Sequence, residues 1–433
     1  MEYVVEIEKL VFGGYGLSRL KNGKIVFVPF VIPEEKVKIR IVQENKDFSE
    51  AELIDVIEPS PFRKEPECEY YQVCGGCQLQ HISYEKQLEL KIEILKDVFF
   101  RTGLKEEIPL EKIIPSPKSY YYRNKLRLHV ENFPFKIGFV KRKSYEVVGI
   151  KKCLLAEKQI NSVLESLWNS EYWQNISVYS KRLNLEYSLG HKKVCLLFWT
   201  KLPPLKENLL NLSKEIQDIY AIFYWLKGKN PKGPIPEELP YLGRRIFEVM
   251  PGLTYYAQPG VFLQTNWEIN KCIIQHLLSL GLPIESVLDL HCGIGNFLLP
   301  FAFKNMGNKF LGVDTDSRAI EDAILNAEIN GLSGIVDFLR KTALEALYDA
   351  IKFGDTYDLV LLDPPRGGCK ELMRMLPDVA KKFIIYISCD APTLARDMKL
   401  LIEAGYNLKR LWIFDMFPQT YHFEVVSFLE KEG

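Results

Sequence analysis

Apolar and polar residues alternate in short runs over the first 60 positions, with a period of two along residues 4–10, 24–28, 36–44 and 50–57. Such alternation predicts half-buried strands. Gly13, Gly14 and Gly16, and then Asn22-Gly23, supply the turns. About five short strands in so small a segment suggest an OB-like β-barrel. Pro59, Pro61 and Pro66 interrupt the alternation, and a helix follows over residues 84–100. Leu88, Ile92, Leu95 and Phe99 fall there at helical spacing. Residues 120–250 read as antiparallel strands with some helix, broken by a Gly- and Pro-rich loop at 228–234. Beyond Pro251 the pattern changes. The runs 286–290, 310–314, 359–363 and 383–387 are apolar throughout, as strands buried on both faces must be, and helical segments such as 317–330 separate them. That rhythm predicts a doubly wound, Rossmann-like α/β domain. The expected organisation is a barrel at 1–59, an α+β middle domain at 60–250 and the α/β domain at 251–433.

Composition changes this picture little. A chain of 433 residues with 47% hydrophobic and 26% charged positions matches a multidomain globular protein. No apolar run reaches the ~18 residues that a membrane span requires, and the first ten residues lack the basic and apolar regions of a signal peptide. A cytoplasmic, membrane-free protein is expected, and a monomer. Formal net charge is zero, but its distribution is uneven. Ten Lys or Arg residues between Lys118 and Lys152 face only Glu131 and Glu146, with Tyr120, Tyr121, Tyr122, Phe133, Phe135, Phe139 and Tyr145 interleaved. Cations that neutralise phosphates beside aromatic faces that stack on bases suit single-stranded RNA; a solvated sheet face would read similarly.

Candidate chemistry gathers where the α/β strands end. Asp289 closes one strand, and Gly293 and Gly295 form the turn after it. The next strand ends in Asp314, a carboxylate placed to accept ribose hydroxyls. A third ends in Asp363-Pro364-Pro365-Arg366. Enzymes that methylate exocyclic amines usually have an aromatic residue at that last position, so Arg366 weighs against amine methylation. The fourth strand ends in Cys389. Uracil C5 is too weakly nucleophilic to accept a methyl group unaided. A thiolate added to C6 turns it into a carbanion equivalent, and a base must then remove the C5 proton. Glu424, a carboxylate in a late apolar segment, is the candidate base.

Far upstream, Cys68, Cys74 and Cys77 form C-x5-C-x2-C, spacing that indicates metal rather than disulfides in a reducing compartment. Two readings are open: a zinc site completed by His81, or an iron–sulfur cluster with a distant fourth thiolate, for which Cys153 is the best candidate. Cys195, Cys272 and Cys369 read as packing residues.

Five ordered stretches carry a resemblance: F-L-Q-T-N at 262–266, D-L-H-C-G-I-G-N-F at 289–297, D-P-P-R-G at 363–367, S-C-D-A-P-T-L-A-R-D at 388–397 and H-F-E at 422–424. Together they resemble the RNA uracil-5-methyltransferase family. The resemblance implies a class I fold using S-adenosylmethionine, with Cys389 as nucleophile and Glu424 as base. Gln264, His291, Asn296, Asp314 and Asp363 would contact cofactor or target uracil, and Phe262 and Arg366 would meet the substrate. The chain departs from the family pattern at His291, where Tyr or Phe is usual, at Ala391-Pro392, where the order is usually reversed, and at Thr342, where Asp or Asn commonly meets the adenine. The resemblance also implies a TRAM domain at the N-terminus and a [4Fe–4S] cluster on Cys68, Cys74, Cys77 and Cys153. Relatives with both features suggest large-subunit rRNA as substrate, with tRNA the alternative. A non-catalytic RNA-binding iron–sulfur protein is the competing reading of another class.

Overall fold

The computed structural model describes residues 1–104, 108–227, 229–237 and 239–432. The N-terminal alternation forms a six-stranded sheet: Glu2–Glu6, Lys9–Val11, Tyr15–Arg19, Ile25–Pro29, Lys36–Glu44 and Phe48–Glu58. Its inward positions, among them Val5, Val26, Val28, Val37 and Ile39, make a separate small core. The expected first strand is broken in two, and another starts inside the predicted glycine turn, at Tyr15. Gly16 explains the tight packing there, because a Cβ would lie 2.3 Å from the Val31 side chain.

The middle of the chain builds a seven-stranded mixed sheet. Its last strand, Lys232–Ile235, pairs with Ile219–Leu226, so half of the predicted Gly/Pro loop is sheet; Gly228 lies outside the described residues. The helix predicted at 84–100 spans Tyr84–Arg101 and buries Leu90, Ile94, Leu95 and Phe99.

The C-terminal domain is an eight-stranded sheet ordered Val336–Arg340, Lys309–Asp314, Ser286–Asp289, Tyr357–Leu362, Ala380–Ser388, Glu424–Lys431, Tyr406–Phe414 and Leu110–Ile114. The first five strands are parallel, and Glu424–Lys431 runs antiparallel to both of its neighbours. Apolar residues alternate between two cores, one on each face: Val287, Leu359, Leu361 and Ile385 on one side, Leu288, Val360, Leu362 and Ile384 on the other. This double burial is why the runs are apolar throughout. The strand Leu110–Ile114, from the stretch assigned to the middle of the chain, pairs parallel with Tyr406–Phe414 at the sheet edge. The α/β body therefore draws on chain upstream of residue 251. No helix among the described residues is long and apolar enough to cross a membrane.

Candidate active site

A cavity of about 580 Å³ opens at the carboxyl ends of the parallel strands, lined by Leu290, His291, Asp314, Lys341, Thr342, Pro365, Gly367, Cys369 and Arg396 among others. Its size suits a nucleoside-sized ligand, and its place is where open α/β sheets bind them. Gly293 has φ +54, with open space where a Cβ would point. Its N–H donates to Asp314 Oδ2 at 3.0 Å, and Asp316 N–H donates to Oδ1 at 2.9 Å. Two backbone donors thus set the Asp314 carboxylate at the cavity wall. Beneath the turn, Asp289 is 1% exposed and accepts from His291 N–H, while its Oδ2 and the Nδ1 of His291 have no partner among the described residues. Burial pushes the Asp289 carboxyl up to about 8, against the His291 N–H and assisted by the charges of Asp363 and Asp314. The imidazole of His291 is pushed down to about 4 by burial. It is therefore neutral at physiological pH.

One strand further along, Cys389 and Glu424 meet through sheet register. Ser388 pairs with Val425, so the next residue on each antiparallel strand, Cys389 and Glu424, stand opposite each other at the same end. The adjacent parallel strand ends in Asp363, whose Oδ2 accepts from Gln264 Nε2 at 3.0 Å. Burial pushes Asp363 up to about 7 against that hydrogen bond. Glu424 is 3% exposed, and burial, then the Asp363 charge, push it well above the usual carboxylate range, with Arg366 opposing. The Cys389 thiol is pushed up to about 12 by burial and by Glu424, with the Arg366 guanidinium pulling it down. Arg366 also lies 3.4 Å from His422 Nε2. The barrel reaches this corner: the ring of Phe12 packs edge-on against Tyr421 at 5.3 Å.

The structure thus brings Cys389, Glu424, Asp363, Gln264 and Arg366 into one cluster beside the cavity that holds His291 and Asp314. Asn296 falls elsewhere. Its amide is paired both ways with Asn270, at 2.8 and 3.0 Å, which ties the turn to the helix Trp267–Ser279 and places the side chain outside the cavity lining. Phe262 is 69% exposed, on the surface rather than in the cavity lining. Cys369, read as packing, does pack against the core and also lines the cavity. Thr342 caps the helix Ala343–Phe353 in a reciprocal capping box with Glu345, a T-x-x-E signal legible in the sequence. Lys341 and Arg396 escaped notice because a cation carries no local pattern that marks a cavity wall.

Cys68, Cys74, Cys77 and Cys153 line one small cavity of about 50 Å³, together with Arg123 and Tyr71. His81 is turned away, its Nδ1 bonded to the Tyr71 hydroxyl at 2.7 Å. Among the described residues, no three His, Cys, Asp or Glu groups converge tightly enough to hold a single ion. The cysteine loop also abuts the active-site corner: Gln78 and Leu79 donate their N–H groups to Gln419 O at 3.2 and 3.0 Å, three residues before His422.

The sequence profile of tRNA (uracil-5-)-methyltransferases matches residues 83–432, and that of the TRAM domain matches residues 2–54. An RNA methyltransferase of Aquifex aeolicus is 36% identical, with 98% of this chain and 97% of that protein covered. The 23S rRNA (uracil(1939)-C(5))-methyltransferase of Cupriavidus metallidurans is 32% identical, over 99% and 95% of the two chains. Among solved structures, the Pyrococcus abyssi tRNA (uracil-54, C5)-methyltransferase in complex with S-adenosyl-L-homocysteine superposes with a TM-score of 0.76, at 26% identity, covering 98% of this chain and 99% of that one. With a profile match over most of its length and a TRAM domain ahead of it, the chain belongs to the family of S-adenosylmethionine-dependent RNA uracil-5-methyltransferases.

Proposed function

We propose that this protein, acting as a monomer, forms 5-methyluridine at a specific uridine of RNA through a covalent adduct between Cys389 and C6 of the base. The observation that carries the reading is the register that sets Cys389 opposite Glu424, with Asp363 on the next strand. Asp314 and His291 in the adjoining cavity would hold S-adenosylmethionine, which when bound would supply the methyl group. Cys389 gives its proton to solvent and bonds to C6 as the C5–C6 π electrons move to O4; when they return, C5 bonds to the methyl carbon, the S–CH3 bond breaks and S-adenosylhomocysteine would be the leaving group. Glu424 removes the C5 proton, the double bond re-forms and the Cys389–C6 bond breaks. Burial and the Asp363 charge favour the neutral form of Glu424, so it gives its resting proton to solvent before it acts as base. Phe262 offers an exposed aromatic face for a base extruded from its stack.

For the RNA itself, the basic middle segment offers an open groove of about 700 Å³ lined by Arg123, Arg127, Lys141, Arg142, Lys143 and Tyr145. Tyr145 is 98% exposed and Phe133 92%, so their faces are free to stack. Ribosomal RNA is favoured over tRNA by the higher identity, across nearly the whole chain, to the enzyme named for 23S rRNA. Incubating the protein with labelled S-adenosylmethionine and total RNA, then sequencing the modified fragment, tests this. Label at uracil C5 in 23S rRNA is expected. Label on an amine nitrogen would overturn the reaction, and label in tRNA the substrate.

We also read Cys68, Cys74, Cys77 and Cys153 as the ligands of a [4Fe–4S] cluster. Four thiols around one cavity that His81 does not line support a cluster over a zinc site completed by His81. Such a group would tie the 68–81 loop to Cys153 and so brace the segment before Glu424. Anaerobic reconstitution should load about four irons per chain with a broad visible absorption, reduced in Cys77→Ala and unchanged in His81→Ala. Uptake of a single zinc that requires His81 would refute the assignment.

A further inference from the structure

The helix Ala391–Glu403 begins immediately after Cys389, capped by Asp390, whose side chain accepts from Thr393 N–H. The same first turns grip the loop that follows Asp363. Thr393 Oγ1 lies 3.1 Å from Arg366 O and shares its one proton between that carbonyl and the O and Oδ1 of Asp390, at 3.2 and 3.0 Å, while Arg396 Nη2 donates to Gly367 O at 3.0 Å. Cys369 N–H donates to Asp397 Oδ2 at 2.8 Å. Asp397 is fully buried, a costly place for a carboxylate unless donors surround it. Besides Cys369 N–H, the Tyr386 hydroxyl donates to Oδ2 and Arg396 Nε donates to Oδ1, each at 2.8 Å. Tyr386 belongs to the strand Ala380–Ser388, which leads directly into Cys389. Gly368 shows how closely the loop is seated. It has φ +69, and a Cβ there would lie 2.5 Å from Asp397 Oδ2 and 2.6 Å from Arg396 Nη2.

The gripped loop has two outputs. Arg366 extends from it to His422 at 3.4 Å, two residues from Glu424, and its charge acts on the Cys389 thiol, while Pro365, Gly367 and Cys369 wall the cofactor cavity, with Arg396 itself beside them. We propose that Thr393, Arg396 and Asp397 are positioning residues, a clamp through which one helix sets both the cofactor-cavity wall and the placement of Arg366 against the nucleophile. A plain structural staple would stabilise the fold without touching either output. The clamp links them.

The part concerning the nucleophile rests on the reaction proposed above; the part concerning the cavity does not. The test uses the full chain carrying Asp397→Asn or Thr393→Val. Two quantities are measured: S-adenosylhomocysteine affinity by calorimetry, and the pH dependence of Cys389 alkylation, followed on its own peptide by mass spectrometry. Asp397→Asn is expected to weaken S-adenosylhomocysteine binding about tenfold, move the alkylation midpoint to higher pH and lower kcat about 10²-fold. Thr393→Val, which loses only the bond to Arg366 O among the loop contacts, should shift the alkylation profile and leave S-adenosylhomocysteine affinity nearly unchanged. A folded Asp397→Asn with both readouts like the parent overturns the proposal. Should that variant fail to fold, an unshifted alkylation profile in Thr393→Val overturns it equally. Were Cys389 not the nucleophile, Cys389→Ala would remain active while both clamp readouts still moved, so the two failures are distinguishable.

Discussion

Cys389→Ala is expected to abolish both turnover and the stable complex with 5-fluorouridine RNA. Fluorine at C5 leaves no proton for Glu424 to remove, so addition and methyl transfer proceed but elimination cannot, and the Cys389–C6 bond persists. Without the sulfur no such bond forms, and the rate falls by at least about 10⁴-fold. S-adenosylhomocysteine binding should survive, since the cavity lining does not include Cys389. A denaturing gel with labelled RNA reads the adduct directly. A shifted band in the variant would remove Cys389 from its role. The pH dependence follows from the same site. Burial and Glu424 push the thiol up to about 12, so at neutral pH the resting residue is protonated. The thiolate fraction grows about tenfold per pH unit below that value. The single-turnover rate should therefore climb between pH 7 and 9, and a falling profile over that range would contradict thiolate attack as the limiting event.

Glu424→Gln separates transfer from release. The methyl group should still reach C5, but the C5 proton then has no acceptor. Methylated RNA would accumulate bound to Cys389, with multiple turnover reduced by about 10²- to 10⁴-fold. Rapid quench with a denaturing gel checks this, and normal turnover without a trapped complex would reassign the base. The fold should tolerate the change, because the resting carboxyl is pushed well above its usual range by burial and by Asp363. Its folded form is then raised relative to the unfolded one. Its favourable contribution is present below the ordinary carboxylate range and is lost as pH rises towards the folded value. Glutamine mimics the neutral form and carries no such loss, so the variant should be at least as stable as the parent at pH 8 by urea denaturation.

Both experiments depend on residues that stood out in the chain for different reasons. Cys389 and Asp363 were legible because each follows a wholly apolar strand, and in an α/β sheet the carboxyl ends of such strands converge on one crevice. Glu424 was legible as a charge in an apolar segment. Its partnership with Cys389 was legible from the chemistry of uracil and from the resemblance, but the register behind it was not, because that depends on an antiparallel strand returning beside a parallel one, and pairing between segments 35 residues apart leaves no local trace. Asn296 lies within the resembling stretch, and its pairing with Asn270 is a contact between helix and turn that only packing reveals.

By itself, then, the sequence determined the barrel, the α/β rhythm, the strand-end chemistry and the cysteine spacing, because local period and turn chemistry are written in neighbouring residues. Tertiary structure decided what needs distant segments to meet. It gathered Cys153 with the cysteine loop, drew Leu110–Ile114 into the C-terminal sheet, turned His81 away, and set the helix after Cys389 against the loop of Arg366. The physical reason is that burial and hydrogen-bond satisfaction are properties of the packed whole. A fully buried Asp397 is intelligible only once its donors, supplied by residues 369, 386 and 396, have been brought together.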